Sequence, residues 1–310
     1  ISACLVGSEM CIRDRYQAGL AITDGNGNTL IGYNAGDALD SETDNTFVGA
    51  YCGAGAIAGA DRCVAVGNAA LYGAATEDGT VAIGYNALND LTSGSGNLAI
   101  GYYAMDSLTT GDGNVAVGEN AMGDTNNDDA FDSDYNIIIG HNAGSGDWQS
   151  KCVNNVAIGS SSMNGAMDDA DNNTAIGHLA LNALTTGDQL VAIGSLAGDA
   201  ITGATDSVAV GYGALSAMTT GYGCVAIGPT ALALSTGNNN IAIGSRAGDA
   251  LSTTSDVVLI GTDAGGAINS TGAHYTVAIG GSALAALTSG SGNVAVGHQS
   301  LDANVTGQYN

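Results

Sequence analysis

Apolar residues in this chain come in three-residue blocks, each closed by a glycine and set apart by polar, Gly-rich stretches. Val64-Ala65-Val66-Gly67, Val81-Ala82-Ile83-Gly84, Val115-Ala116-Val117-Gly118, Val225-Ala226-Ile227-Gly228 and Val294-Ala295-Val296-Gly297 are five of sixteen such blocks. The closing glycines are residues 32, 49, 67, 84, 101, 118, 140, 159, 177, 194, 211, 228, 244, 261, 280 and 297. Nine of the fifteen steps between them are 17 residues, and the rest run from 16 to 22. A strand-sized block at a fixed period of this length predicts stacked β-coils, each burying against its neighbour what it cannot bury alone. The expected fold is all-β, a parallel β-solenoid or β-roll of about sixteen coils of ~17 residues.

Taking the closing glycine as position 0, −1 is Ile or Val in all sixteen coils, −3 is Val, Ile, Leu or Thr, and −2 is Ala in twelve. In a strand, −1 and −3 share one face and −2 points to the other. The larger, branched pair is expected to fill the coil, leaving the −2 column on its outside. That column runs through Ala65, Ala82, Ala99, Ala116, Ile138, Ala157, Ala175, Ala192, Ala209, Ala226, Ala242, Leu259, Ala278 and Ala295, after Leu30 and Phe47. It holds no polar residue, and a soluble monomer rarely exposes so long an apolar stripe. The column is therefore the expected interface of a homotrimer.

Further round the coil, +3 is mostly Ala, +4 is Leu, Met or Gly, and +7 is often Leu or Ile. A Thr-Thr-Gly or Thr-Ser-Gly turn follows in several coils, as at 109–111 and 288–290. Glycine is expected to supply a positive φ there. Asn occupies −4 in nine coils, including Asn97, Asn114, Asn155, Asn240 and Asn293. Amides stacked on neighbouring rungs hydrogen-bond into ladders.

Residues 4–15, CLVGSEMCIRDR, break the pattern and resemble translated sequencing-adapter read-through. Residues 1–15 are thus expected to stand outside the fold. Residues 16–310 then form one array, a window on a longer repeat truncated at both ends. The chain carries 30 acidic against 5 basic residues, a net charge of −25. That charge disfavours nucleic acid and anionic membrane as partners. No apolar run approaches the ~20 residues of a membrane span, so no membrane insertion is expected. Cys52, Cys63, Cys152 and Cys224 show no metal-site spacing. Cys63 and Cys224 stand at −4 as small substitutes for Asn, and a Cys52–Cys63 disulfide is one arrangement the spacing allows.

The Asn-x-Val-Ala-Ile-Gly units resemble the head repeats of trimeric autotransporter adhesins of the YadA type, and similar repeats in phage and marine-virus tail fibres. The resemblance spans nearly all of residues 20–310. It implies a left-handed parallel β-roll in a threefold bundle, displayed extracellularly on a cell surface or virion. The implied role is attachment to a host surface receptor or glycan. The coil here is longer than the family's head repeat, with Leu-Thr-Thr-Gly inserted.

Candidate chemistry is sparse. Position +1 carries Tyr33, Tyr85, Tyr102 and Tyr212, besides His141, His178 and His298. Rings in such a row either stack on sugars or simply occupy a half-exposed rung position. The three histidines lie on distant coils, which argues against a shared metal. The expanded segment before Gly140 holds Asp124, Asp128, Asp129, Asp132 and Asp134, whose oxygens suit Ca²⁺ if they converge. Trp148, the one tryptophan, lies in the next expanded segment, and 124–152 is expected to protrude and bind ligand. No GxSxG, HExxH or phosphate-binding loop is present, so no enzyme is expected. Ice binding is the rival reading, resting on Thr pairs such as Thr109-Thr110, Thr185-Thr186 and Thr219-Thr220.

Overall fold

Val and Ile, with one stiff β-branched rotamer each, suit an extended backbone, and every apolar block becomes a strand of three residues. The computed structural model describes residues 4–6, 9–13, 15–55, 57, 59–73, 75–123, 133–269 and 272–310, with backbone alone before residue 15. Sixteen repeat strands pack as a parallel β-solenoid of about fifteen turns, with no helix among the described residues. The chain divides into two compact units, Ile1–Asn155 with Met167–Asp169, and Val156–Ala166 with Ala170–Asn310. The first unit stacks seven repeat strands from Thr29–Ile31 to Ile137–Ile139, and the second stacks nine from Val156–Ile158 to Val294–Val296. Register is strict: Val64, Ala65 and Val66 pair with Val81, Ala82 and Ile83, and so on up each unit. The ladder runs on past the strands, as where the Gly84 N–H donates to the Val66 carbonyl at 2.8 Å.

Residues before the array, expected to stand outside the fold, are drawn onto its edge. Cys4–Val6 and Glu9–Arg13 form an antiparallel hairpin, whose second strand pairs in parallel with Thr29–Ile31 through Ile12↔Thr29 and Arg13↔Leu30. A terminal rung presents a row of unpaired backbone groups, which any extended neighbouring segment can satisfy.

The two faces of each strand are the reverse of the expectation. All fourteen residues assigned to an outer interface, from Ala65 to Ala295, point into the coil and are at most 2% exposed. The −1 and −3 side chains point out; Ile83, Ile193 and Ile227 are 36%, 39% and 38% exposed. Alternation fixes that the faces differ but not which is inside. The inside is decided by the opposite wall. Ala70, Leu71, Ala87, Leu88 and Leu91, at +3, +4 and +7, are fully buried and leave a strand only room for a methyl.

Volume exchange across the coil confirms this. The four coils with a large −2 residue, Leu30, Phe47, Ile138 and Leu259, all have Gly at +4: Gly36, Gly53, Gly144 and Gly265. A Cβ on Gly265 would sit 2.7 Å from Leu259 Cδ2, and one on Gly36 2.9 Å from Leu30 Cδ2. Close packing leaves no room for both.

Each coil bends through left-handed residues at −5, +2 and +4. Arg62, Ala69 and Leu71 have φ of 59°, 54° and 52° in the Gly67 coil, and Asn86 and Leu88 have 53° and 50° in the next. The Thr-x-Gly glycines fit the expected positive φ at Gly111 (118°) and Gly290 (119°) but not at Gly187, so the sharpest bends lie elsewhere. The closing glycine is required for a different reason. A Cβ on Gly211 would lie 2.7 Å from the Gly228 carbonyl oxygen of the next rung.

Candidate functional site

The sheet face turned outward is a column of branched apolar side chains. In the second unit it reads Val191/Ile193, Val208/Val210, Val225/Ile227, Ile241/Ile243 and Val258/Ile260 on successive coils. Across all sixteen coils neither −1 nor −3 is ever charged, and −3 is Thr only at Thr29, Thr46 and Thr174. Nine rungs at about 4.8 Å make a flat strip ~43 Å long on that unit. The described acidic residues stand at other positions of the coil.

Many of them are committed to the scaffold. At −6 a side chain accepts the backbone N–H of the −6 residue one coil back. Asp61 takes Thr43 N (2.6 Å), Asp78 takes Asp61 N (2.8 Å), Asp112 takes Ser95 N (2.7 Å) and Asp134 takes Asp112 N (2.8 Å). Asp188 and Asn238 do the same for Asp171 and Tyr222 in the second unit. This ladder has no single-residue signature in the sequence, because Asp, Asn, Ser and His alternate in it; the shared trait is a side-chain acceptor. Arg62, Lys151 and Arg246 each pair with a carboxylate on an adjacent coil, Asp78, Asp134 and Asp263. The hydrogen bond from Arg246 holds the Asp263 carboxyl below its usual range.

The expected −4 amide ladder is present and buried. Asn114 Nδ2 donates to Ser133 O (2.7 Å) and to Asn97 Oδ1 (3.2 Å), while its Oδ1 accepts Asn136 N (3.0 Å). Asn136 and Asn155 continue it. Cys63 and Cys224 stand in for Asn. Cys224 Sγ donates to Gly237 O (3.3 Å), the carbonyl an amide would take there. Cys52 and Cys63 are both buried free thiols, so the Cys52–Cys63 disulfide does not form. Burial pushes the Cys52 thiol up to about 12.

Among the residues expected to bind ligand, Tyr85 and Tyr102 are brought together. Their rings stack at 5.4 Å, and Tyr103 closes edge-on against Tyr102 at 4.4 Å and against Tyr85 at 5.5 Å. The Tyr103 hydroxyl is pushed up, chiefly by its hydrogen bond with Tyr102. Tyr85 and Tyr102 are still 44% and 51% exposed. Tyr212 is exposed, between Ser195 and Pro229 in its column, and joins neither cluster. A second stack, Tyr16–Tyr33–Tyr51, runs along the first coils at 5.7 and 5.3 Å.

Trp148, expected on a protruding loop, is fully buried instead. It fills the coil interior beside Ile138, where a Cβ on Gly144 would be 3.5 Å from its Cζ2. The expanded segment thus brings core material as well as loop. Asp134 serves the −6 ladder and Lys151; Asp124, Asp128, Asp129 and Asp132 lie outside the described residues. No metal-ligating group of three is found among the described residues. The Thr rows donate their hydroxyls to the next coil, Thr92 Oγ1 to Thr109 O (2.8 Å) and Thr185 Oγ1 to Thr202 O (2.9 Å).

Set beside known proteins, the chain matches no family model, no curated protein and no solved structure.

Proposed function

We propose that this chain is part of a non-enzymatic, homotrimeric surface fibre that mediates attachment, held together along the outward Val/Ile column rather than the alanines. The carrying observation is that uncharged column. On a chain of net charge −25, it is the surface where copies meet without carboxylates opposing one another. A strip ~43 Å by ~10 Å on one unit rivals the largest apolar patch a soluble monomer leaves bare. Copies aligned along it bury the strip in register, because every rung presents the same pair. The threefold order, the left hand and the extracellular setting, on a cell or a virion, come from the likeness of the Asn-x-Val-Ala-Ile-Gly units to adhesin heads and tail fibres.

Light scattering on the intact chain tests this, alone and with Ile193→Lys plus Ile227→Lys. Both side chains are half-exposed in the single chain, so the lysines leave it folded. A trimer that these lysines dissociate supports the proposal; a monomer, or an oligomer indifferent to them, defeats it.

A further inference from the structure

On the first unit, the +2 position of successive coils reads Asn34, Tyr51, Ala69, Asn86 and Tyr103. Ala69 is the step in this column without a functional group, and it leaves a notch. Tyr51 stands on the coil before; Tyr72, at +5, stands on the same coil as Ala69; Asn89, also at +5, stands on the coil after. These four residues line an open groove of about 310 Å³, within the range of small-ligand sites.

The two rings are 42% and 45% exposed. Tyr33 packs against the Tyr51 ring from the preceding coil, at 5.3 Å and 71°, and Tyr51 also lines the groove. Asn89 is anchored by donating Nδ2 to Asp90 Oδ1 at 2.6 Å. None of the four lining side chains is ionised, and the net charge of −25 repels an anionic ligand. What remains is two aromatic bodies with phenol tips, a methyl floor and an amide. A pyranose matches that set: its C–H face packs on aromatic rings and its hydroxyls meet the phenols and the amide.

We propose that the groove over Ala69, between Tyr51 and Tyr72, binds one neutral pyranose residue of a glycan. The proposal rests on the attachment reading and gives it a ligand chemistry. It places the sugar at Tyr51 and Tyr72, across a groove, rather than at Tyr85 and Tyr102, which pack on one another and on Tyr103.

Saturation-transfer NMR on the intact chain tests it, with the methyl glycosides of glucose, galactose, mannose and N-acetylglucosamine, and N-acetylneuraminic acid as anionic comparator. The expected result is transfer to the ring C–H protons of at least one neutral glycoside, with a dissociation constant of about 1 mM, and none to the acid. Tyr72→Ala and Ala69→Leu should each weaken binding about tenfold, and Tyr212→Ala should not. Leucine at +2 is compatible with the fold, since Leu179 and Leu196 occupy that position at φ 58° and 59°. No transfer to any neutral glycoside, or transfer that survives both groove variants, overturns the proposal. The mass of the same sample separates the two readings. A trimer that ignores sugars defeats the groove alone, and a monomer that binds them defeats the fibre alone.

Discussion

Leu259 and Gly265 offer the sharpest test of which strand face is inside. Leu259 is fully buried, and a side chain on Gly265 would collide with it. Leu259→Ala should therefore cost about 3 kcal/mol, the middle of the range for emptying a packed site. Gly265→Leu alone inserts a side chain into filled space at φ 61°. It should cost about 2–4 kcal/mol, from overpacking plus the left-handed penalty of a non-glycine residue. The double variant recreates the Ala/Leu pairing of Ala226/Leu232 and Ala278/Leu284. There the new leucine fills the hole left by the old one, and only the backbone penalty of ~1–2 kcal/mol remains. The coupling energy should thus favour the pair by about 3 kcal/mol or more, large for a contacting pair. Urea unfolding gives the three differences, and amide exchange at the Leu259 rung shows whether the loss is local, as stacked repeats require. Costs that simply add, or Leu259→Ala within about 0.5 kcal/mol of the parent as for a surface site, would refute the inward-facing column.

Three further outcomes follow from the same geometry. Ala226→Lys places an ammonium inside the coil and should unfold the surrounding rungs, seen as a loss of exchange protection and not merely as dissociation. Asn114→Ala removes the side-chain acceptor of the buried Asn136 N–H and the donor to the Ser133 carbonyl, and should cost about 2 kcal/mol in urea unfolding, with protection lost at Asn136. The Cys52 thiol is raised from 9.0 to about 12 in the fold, so its contribution is intact below pH 9, where folded and unfolded thiols are both protonated. It is lost as pH rises from 9 towards about 12, where only the unfolded thiol ionises. Cys52→Ala, with the residue usual at +3, should flatten that part of the stability–pH profile.

Period, strand positions and amide ladder were legible in the sequence because each rests on a residue type with one dominant use: Gly under a crossing carbonyl, Asn with a donor and an acceptor to bridge rungs. Side-chain size points the wrong way for the inside of the strand, because it puts Val and Ile in the core. A thin coil inverts that rule. Where its far wall supplies Leu or Met at +4, the strand can contribute only a methyl. The correcting signal was in the sequence: wherever −2 is Leu30, Phe47, Ile138 or Leu259, +4 is Gly. Trp148 and Ile138 belong to one such exchange, which is why an apparent loop residue is core. The groove over Ala69 was not legible, because it depends on Tyr51, Tyr72 and Asn89 of three different coils being brought side by side by the stacking.

The outward Val/Ile column is the central claim, and solution mass with its dependence on that column tests it most directly. The intact chain should scatter as about 91 kDa, three copies of 30.3 kDa. With Ile193→Lys and Ile227→Lys it should fall to a single copy with its β circular dichroism intact. A single-copy mass for the unaltered chain, or a trimer that both lysines leave whole, would contradict it.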